Sequence, residues 1–286
     1  MKPGRDAAAW ILARFEFLAL GSPVLVLVCL LFLLPLCNVL LLSVTEPSPG
    51  LGNYALLFTS QGIQRILLRT LRLSALTTAI AVPAAYLVAY VLAASSPRQR
   101  RLMLFFILVP FWVSALARAF SWLLLLGREG PLNTVLLRMG VIAQPLDLLF
   151  NEFGVTIAMV HYMLPYAILP LYTAIKDMDP QLVLASRGLG ASPFGAFIHT
   201  FLPITLPAIG ATCGLVFVYS LGFYIIPAIL GGGRVLMVAQ YISINVLDTV
   251  RWGVASMLAV TLLVTVLLLS ASASQLGRVS ASAARA

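Results

Sequence analysis

Six apolar runs, each near the roughly 20 residues that a helix needs to cross a bilayer, dictate what this chain can fold into. They fall at about Pro23–Val44, Leu73–Ala94, Leu102–Leu126, Gly154–Ile175, Ile204–Leu230 and Val254–Ala273. Hydrocarbon offers the backbone no hydrogen-bond partner, so runs of this length must become helices. The expected fold class is an all-α membrane protein with six transmembrane helices. The chain is 61% apolar and 9% charged, against roughly 25% charged in soluble domains, which leaves too little polar surface for a water-soluble domain. A six-span domain over residues 23–273 would then be flanked by terminal segments 1–22 and 274–286. The first run is too long for a signal-peptide core and lacks a small-residue cleavage site after it, so no cleavable signal is expected.

The formal charge is +9, and a basic excess can signal nucleic acid. Here the basic residues sit in short segments between apolar runs, where they act as topology signals. No aromatic–basic interleaving of the kind that stacks bases is present, so no nucleic-acid partner is expected. Six spans put both termini on one side. That side carries Lys2, Arg5, Arg14, Arg98, Arg100, Arg101, Lys176, Arg187, Arg278 and Arg285, ten residues. The other carries Arg65, Arg69, Arg72, Arg128, Arg138, Arg234 and Arg251, seven residues. The balance favours cytoplasmic termini, with Pro97–Arg101 as the clearest local cue. Cys29, Cys37 and Cys213 all fall in apolar runs with no metal spacing, and read as inert packing residues. No metal or cofactor is expected.

One segment breaks the pattern. Asp179–Pro207, DPQLVLASRGLGASPFGAFIHTFLPITLP, is punctuated by glycine and proline between two membrane-length runs. Asp179-Pro180 sets an N-cap carboxylate before a proline at the first helical position. Gly190 supplies a left-handed stop, and Ser192-Pro193 repeats the start signal for a second short helix ending near Pro203. On the first helix Leu182, Ala185, Ser186 and Leu189 share one flat, small-residued face, which lets a partner's backbone come close.

This segment resembles the cytoplasmic coupling loop, the EAA motif, of ABC importer permeases. Leu184-Ala185-Ser186, Gly190, Phe197 and Leu202-Pro203 fall on its pattern, but Leu184 stands where the family has a glutamate. The resemblance covers nearly the whole chain. Three further stretches are similar to the spermidine/putrescine-type B or H permease branch: Leu108-Val109-Pro110-Phe111-Trp112 with Arg118, His161–Pro165 with Leu169–Tyr172, and Leu221-Gly222 with Pro227–Gly232. An acid that the branch often carries after the last Leu-Gly is replaced by Phe223. The resemblance implies the type I importer permease fold, with coupling helices between spans four and five (residues 176–203). It implies docking of an ATPase through Leu182, Ala185, Ser186, Gly190, Phe194, Phe197 and Pro203. It also implies two ATPase subunits, a second homologous permease and a periplasmic solute-binding protein as partners, in a bacterial inner membrane with both termini cytoplasmic.

No catalytic set is visible. HExxH, GxSxG and the phosphate-binding G-x-x-x-x-G-K-[ST] are all missing from the sequence; Gly231-Gly232-Gly233-Arg234 is too short and lacks the lysine and hydroxyl. The chain therefore reads as a transport subunit and not an enzyme, with hydrolysis supplied by another chain. Ionisable groups at membrane depth mark candidate pathway residues. Arg118 either lines the pathway, anchors a loop, or snorkels to an interface roughly 12 Å away. His161 with Tyr162 either contacts solute or bonds between helices, and Phe223 and Tyr224 complete the set. A polyamine calls for carboxylates or an aromatic cage, and the span interiors offer aromatics without an acid. The competing reading from another class is a motor-independent channel or secondary carrier, which would need the pathway but not the docking loop.

Overall fold

In the computed structural model residues 22–283 are described, with side chains to residue 271. Residues 1–21, with Lys2, Arg5 and Arg14, lie outside the described residues, as do residues 284–286 and the Arg278 side chain. The described elements are helical. They are α1 (Ser22–Thr45), α2 (Gly52–Thr59), α3 (Gln61–Ala94), α4 (Pro97–Trp112), α5 (Ala115–Leu126), α6 (Pro131–Arg138), α7 (Glu152–Lys176) and α8 (Pro180–Gly188). Then come α9 (Pro193–Leu221), α10 (Ile225–Leu230), α11 (Val238–Leu247) and α12 (Trp252–Ala283).

Five of these helices are long and apolar enough to cross a membrane, and α4 with the stretch that follows makes a sixth when the bent pair is counted as one span. Three expected boundaries are corrected. The third run is not one straight span: it breaks after Trp112, and Pro97–Trp112 and Ala115–Arg138 meet at 101°. Pro110 cannot donate to the last turn of α4, and Val113 and Ser114 are extended, with φ/ψ of −92°/130° and −51°/140°. The fifth run likewise ends at Leu221 rather than Leu230, because Gly222 closes α9 and a separate short helix begins at Ile225. At the other end of α9 the second coupling helix does not stop near Pro203. A π-helical stretch, Phe197–Phe201, carries it straight into the span.

The basic stripe Arg65, Arg69, Arg72 lies on the first turns of α3, which starts well before Leu73. Ser60 caps that start by accepting from the Ile63 N–H. Two short helices, α6 and α11, lie in the connections that follow α5 and α10. Asn133, fully buried, ties α6 to its loop by donating to the Gly127 and Leu146 carbonyls and accepting from the Leu146 N–H.

Helix direction follows from the contacts. Arg69 and Arg72 near the start of α3 meet Glu152 at the start of α7, so these two helices run parallel. Tyr86 and Tyr90, late in α3, meet Thr205, Phe201 and Phe197, early in α9, which therefore runs antiparallel. One apolar core, with Ala85, Leu92, Met163, Leu171 and Phe201, fills the half near the α7–α9 connection. A second, with Leu73, Ala119, Val155, Met159 and Leu230, fills the other half. The α8 segment and the Pro97–Arg101 turn consequently share one end of the bundle, and the Arg69/Arg72–Glu152 cluster marks the opposite end.

Candidate functional site: the docking loop and the aromatic junction

At the α7–α9 end the local chemistry builds a projecting elbow. The Asp179 carboxylate accepts from the Gln181 N–H at 2.9 Å and Pro180 opens α8. Gly190 turns the chain with φ +95°. The Ser192 hydroxyl then accepts from the Gly195 N–H at 3.0 Å, with Pro193 opening α9. Asn or Asp reaches positive φ with some ease, and branched residues resist it.

The elbow leaves apolar side chains in the open: Leu182, Leu184, Leu189 (91% exposed) and Phe194 (75% exposed). Ala185 and Gly190 are exposed beside them, and Ser186 is half-buried. Phe197 does not join this surface. It is half-buried, edge-on to Tyr90 at 6.1 Å and stacked on Phe201 at 5.5 Å. Pro203 is exposed, but on the spanning helix rather than on the elbow.

Three of the candidate pathway residues, Arg118, Tyr162 and Phe223, converge where the two broken spans meet. Tyr162 and Phe223 border both apolar cores. Tyr162 stands roughly 15 Å along α7 from Glu152 and roughly 21 Å from Lys176, in the middle of a ~30 Å hydrocarbon layer. The Arg118 guanidinium carbon lies over the Tyr162 ring, 4.0 Å from its centroid. Phe223 meets the same ring edge-on at 5.0 Å. His161 faces α5 instead: Trp122 donates its indole N–H to His161 Nδ1 at 3.3 Å, the interhelical role that its position allowed. Tyr224 is 44% exposed and takes no part in these ring contacts among the described residues.

Three residues were not singled out from the sequence and belong here. Tyr166 stacks on Tyr162 at 6.2 Å, Tyr219 meets Tyr166 at 5.5 Å, and Trp122 holds His161. The signal was present as spacing, since Tyr162/Tyr166 and Tyr219/Phe223 are each four residues apart and so share a helix face or its continuation. At the far end, Glu152 accepts from Arg69 Nε at 3.2 Å and from Arg72, and Arg69 also donates to the Arg234 carbonyl at 3.1 Å. An apolar groove of about 720 Å³ between α3 and α9 is a separate feature, lined in part by Ala75, Ala79, Gly210 and Gly214.

Residues 81–277, which span the elbow, the aromatic junction and the helices that carry them, match the family model described as binding-protein-dependent transport system inner membrane component. The chain belongs to this family. It is 36% identical over 217 residues to the spermidine/putrescine transport system permease protein PotB of Haemophilus influenzae, covering 76% of each chain. It is 33% identical to the Escherichia coli PotB, covering 71% of this chain and 75% of that one. Among solved structures, a bacterial ABC transporter involved in import of the acidic polysaccharide alginate superposes with a TM-score of 0.78 at 18% identity, covering 96% and 98% of the two chains. An amino acid ABC transporter gives 0.53, covering 79% and 97%. The fold is that of the type I importer permeases. The chain is a multi-pass inner-membrane permease subunit of an ABC importer, and its ATPase is a separate chain. The channel or secondary-carrier reading is set aside by this membership.

Proposed function

We propose that this permease passes a small cationic organic solute of the polyamine class into the cytoplasm. A periplasmic binding protein delivers the solute. A second, homologous permease forms the other half of the pathway, and two ATPase copies drive it. The α7–α9 elbow is the docking element for one ATPase and lies in the cytoplasm, as do both termini. Arg98, Arg100 and Arg101 sit at the same end as the elbow, which supports that orientation through the positive-inside rule. The relatives named above, both spermidine/putrescine permeases, support the cargo class.

The observation that carries the docking assignment is the elbow's exposed apolar surface. Leu189 and Phe194 are almost bare of contacts within the chain, and side chains of this size in a docked cleft contribute about 1.5–3 kcal/mol each. With Leu184 at the head of the motif, the grip is apolar rather than ionic. The mechanism follows as a population shift: ATP closes the motor pair, the docked elbow moves, and the continuous α9 transmits that movement to the aromatic junction. Hydrolysis resets the elbow and opens the pathway inward.

A cysteine at Leu189, in a Cys29→Ser, Cys37→Ser, Cys213→Ser background, tests the sidedness. A membrane-impermeant thiol reagent is expected to label it in inside-out vesicles and not in spheroplasts, with protection when the ATPase is bound. Labelling from the periplasmic face would overturn the assignment.

A further inference from the structure

The aromatic junction joins two departures from regular helix at membrane depth. Extended backbone at Val113-Ser114 and the turn at Gly222–Tyr224 leave peptide groups outside a helical ladder. Irregular backbone inside a bilayer is tolerated only where protein buries it or a water-filled cavity meets it. Val113, Ser114 and Gly222 are exposed, so this chain alone leaves them partly uncovered. The rings gather at these breaks: Phe111 lies 5.0 Å from Tyr166, Tyr166 adjoins Tyr162 and Tyr219, and Tyr162 adjoins Phe223. Five rings from α4, α7 and the end of α9 thus form one continuous aromatic surface.

The occupant of that surface is already a cation. Arg118 holds its guanidinium against the Tyr162 face, and among the described residues its buried Nε has no hydrogen-bond partner. A guanidinium anchored in place would normally fork onto a carboxylate or carbonyl. Here the group faces a ring and keeps a donor unmet, so moving it away breaks no hydrogen bond at Nε. A ring face desolvated by its neighbours attracts a cation more strongly than an exposed one. No aspartate or glutamate lies within α4, α5 or α9, and Glu152 at the start of α7 is taken up by Arg69 and Arg72. The rings are therefore the attractive element for positive charge at this depth.

We propose that Phe111, Tyr162, Tyr166, Tyr219 and Phe223 form a site for an alkylammonium group, and that Arg118 occupies it as a tethered cation until the travelling cation displaces it. Arg118 then serves two ends. It keeps the site from holding stray cations between cycles, and once displaced it repels the cargo onward, which a site meant for release requires. The assignment rests on the cationic-cargo reading above and adds the group that the cargo must compete with.

The test uses the assembled transporter, both permeases and the ATPases, in lipid nanodiscs without binding protein. Putrescine is the probe, and succinate is the anionic control. Arg118→Gln is expected to tighten putrescine binding about tenfold, the worth of one vacated ring face. Adding Tyr162→Leu should abolish that gain, and adding Tyr162→Phe, which keeps the ring, should retain it. Unchanged putrescine affinity in Arg118→Gln, or a gain that survives Tyr162→Leu, overturns the inference. So does succinate binding that is lost in Arg118→Gln, because Arg118 would then be an anion ligand. Binding-protein-driven uptake by the wild-type transporter is measured alongside. Putrescine uptake with no affinity change overturns the tethered cation alone, whereas uptake of anionic solutes only overturns the cargo reading and the inference with it.

Discussion

At Gly190 the demand is conformational and not steric. Its φ is +95°, and an added Cβ would meet nothing within 4 Å. Substitution therefore costs backbone strain of about 1–2 kcal/mol, which falls on the angle between α8 and α9. Gly190→Val is expected to weaken ATPase co-purification by about 5- to 30-fold while membrane insertion is unchanged, and Gly190→Asn should lose less. Full co-purification of the valine variant would show that the elbow angle is not used. The same reasoning explains what a sequence could disclose here. Asp179-Pro180, Gly190 and Ser192-Pro193 are local rules, and each was met by the cap or the turn it implied. Phe197 fitted the motif's spacing equally well, yet its ring lies against Tyr90, 107 positions earlier in the chain, and no local rule reports such a partner.

Among the elements, α8 and the start of α9 leave large apolar side chains exposed at the elbow. Leu189→Asp with Phe194→Asp removes little contact inside the chain, so the permease should insert and resist proteolysis as before. Its ATPase should be lost from detergent-purified complexes, because a charge in an apolar cleft costs several kcal/mol. Retention of the ATPase would put the docking surface elsewhere. At the opposite end, Glu152 joins α3 to α7, and Arg69 extends the link to the Arg234 carbonyl. The Glu152 side chain is 32% exposed, so Glu152→Gln should cost only about 1 kcal/mol. It is expected to lower the melting temperature modestly in thermal scans of the purified protein, and an unchanged value would mean the cluster is decorative. Hydropathy could not reveal the broken third span, since the residues on both sides of Ser114 are equally apolar. Pro110 and Ser114 were the local clues, and the 101° turn depends on α5 packing against α10, far along the chain.

For the whole molecule, the six apolar runs gave the helical class, because a bilayer permits little else, and the described helices hold five spans, or six when the bent pair is counted as one. They could not give the pairing of helices. The parallel course of α3 and α7, and the gathering of rings from α4, α7 and α9 near Arg118, arise from contacts between residues far apart in sequence. The central claim is that a motor outside the membrane works this bundle through the α7–α9 elbow. ATP-driven uptake in proteoliposomes holding both permeases and the ATPases, with cargo-loaded binding protein outside, tests it most directly. The account predicts uptake by the wild type that requires ATP inside, and none by the Leu189→Asp, Phe194→Asp variant despite normal incorporation. Uptake by that variant at the wild-type rate, or wild-type uptake that persists without ATPase subunits, would contradict it.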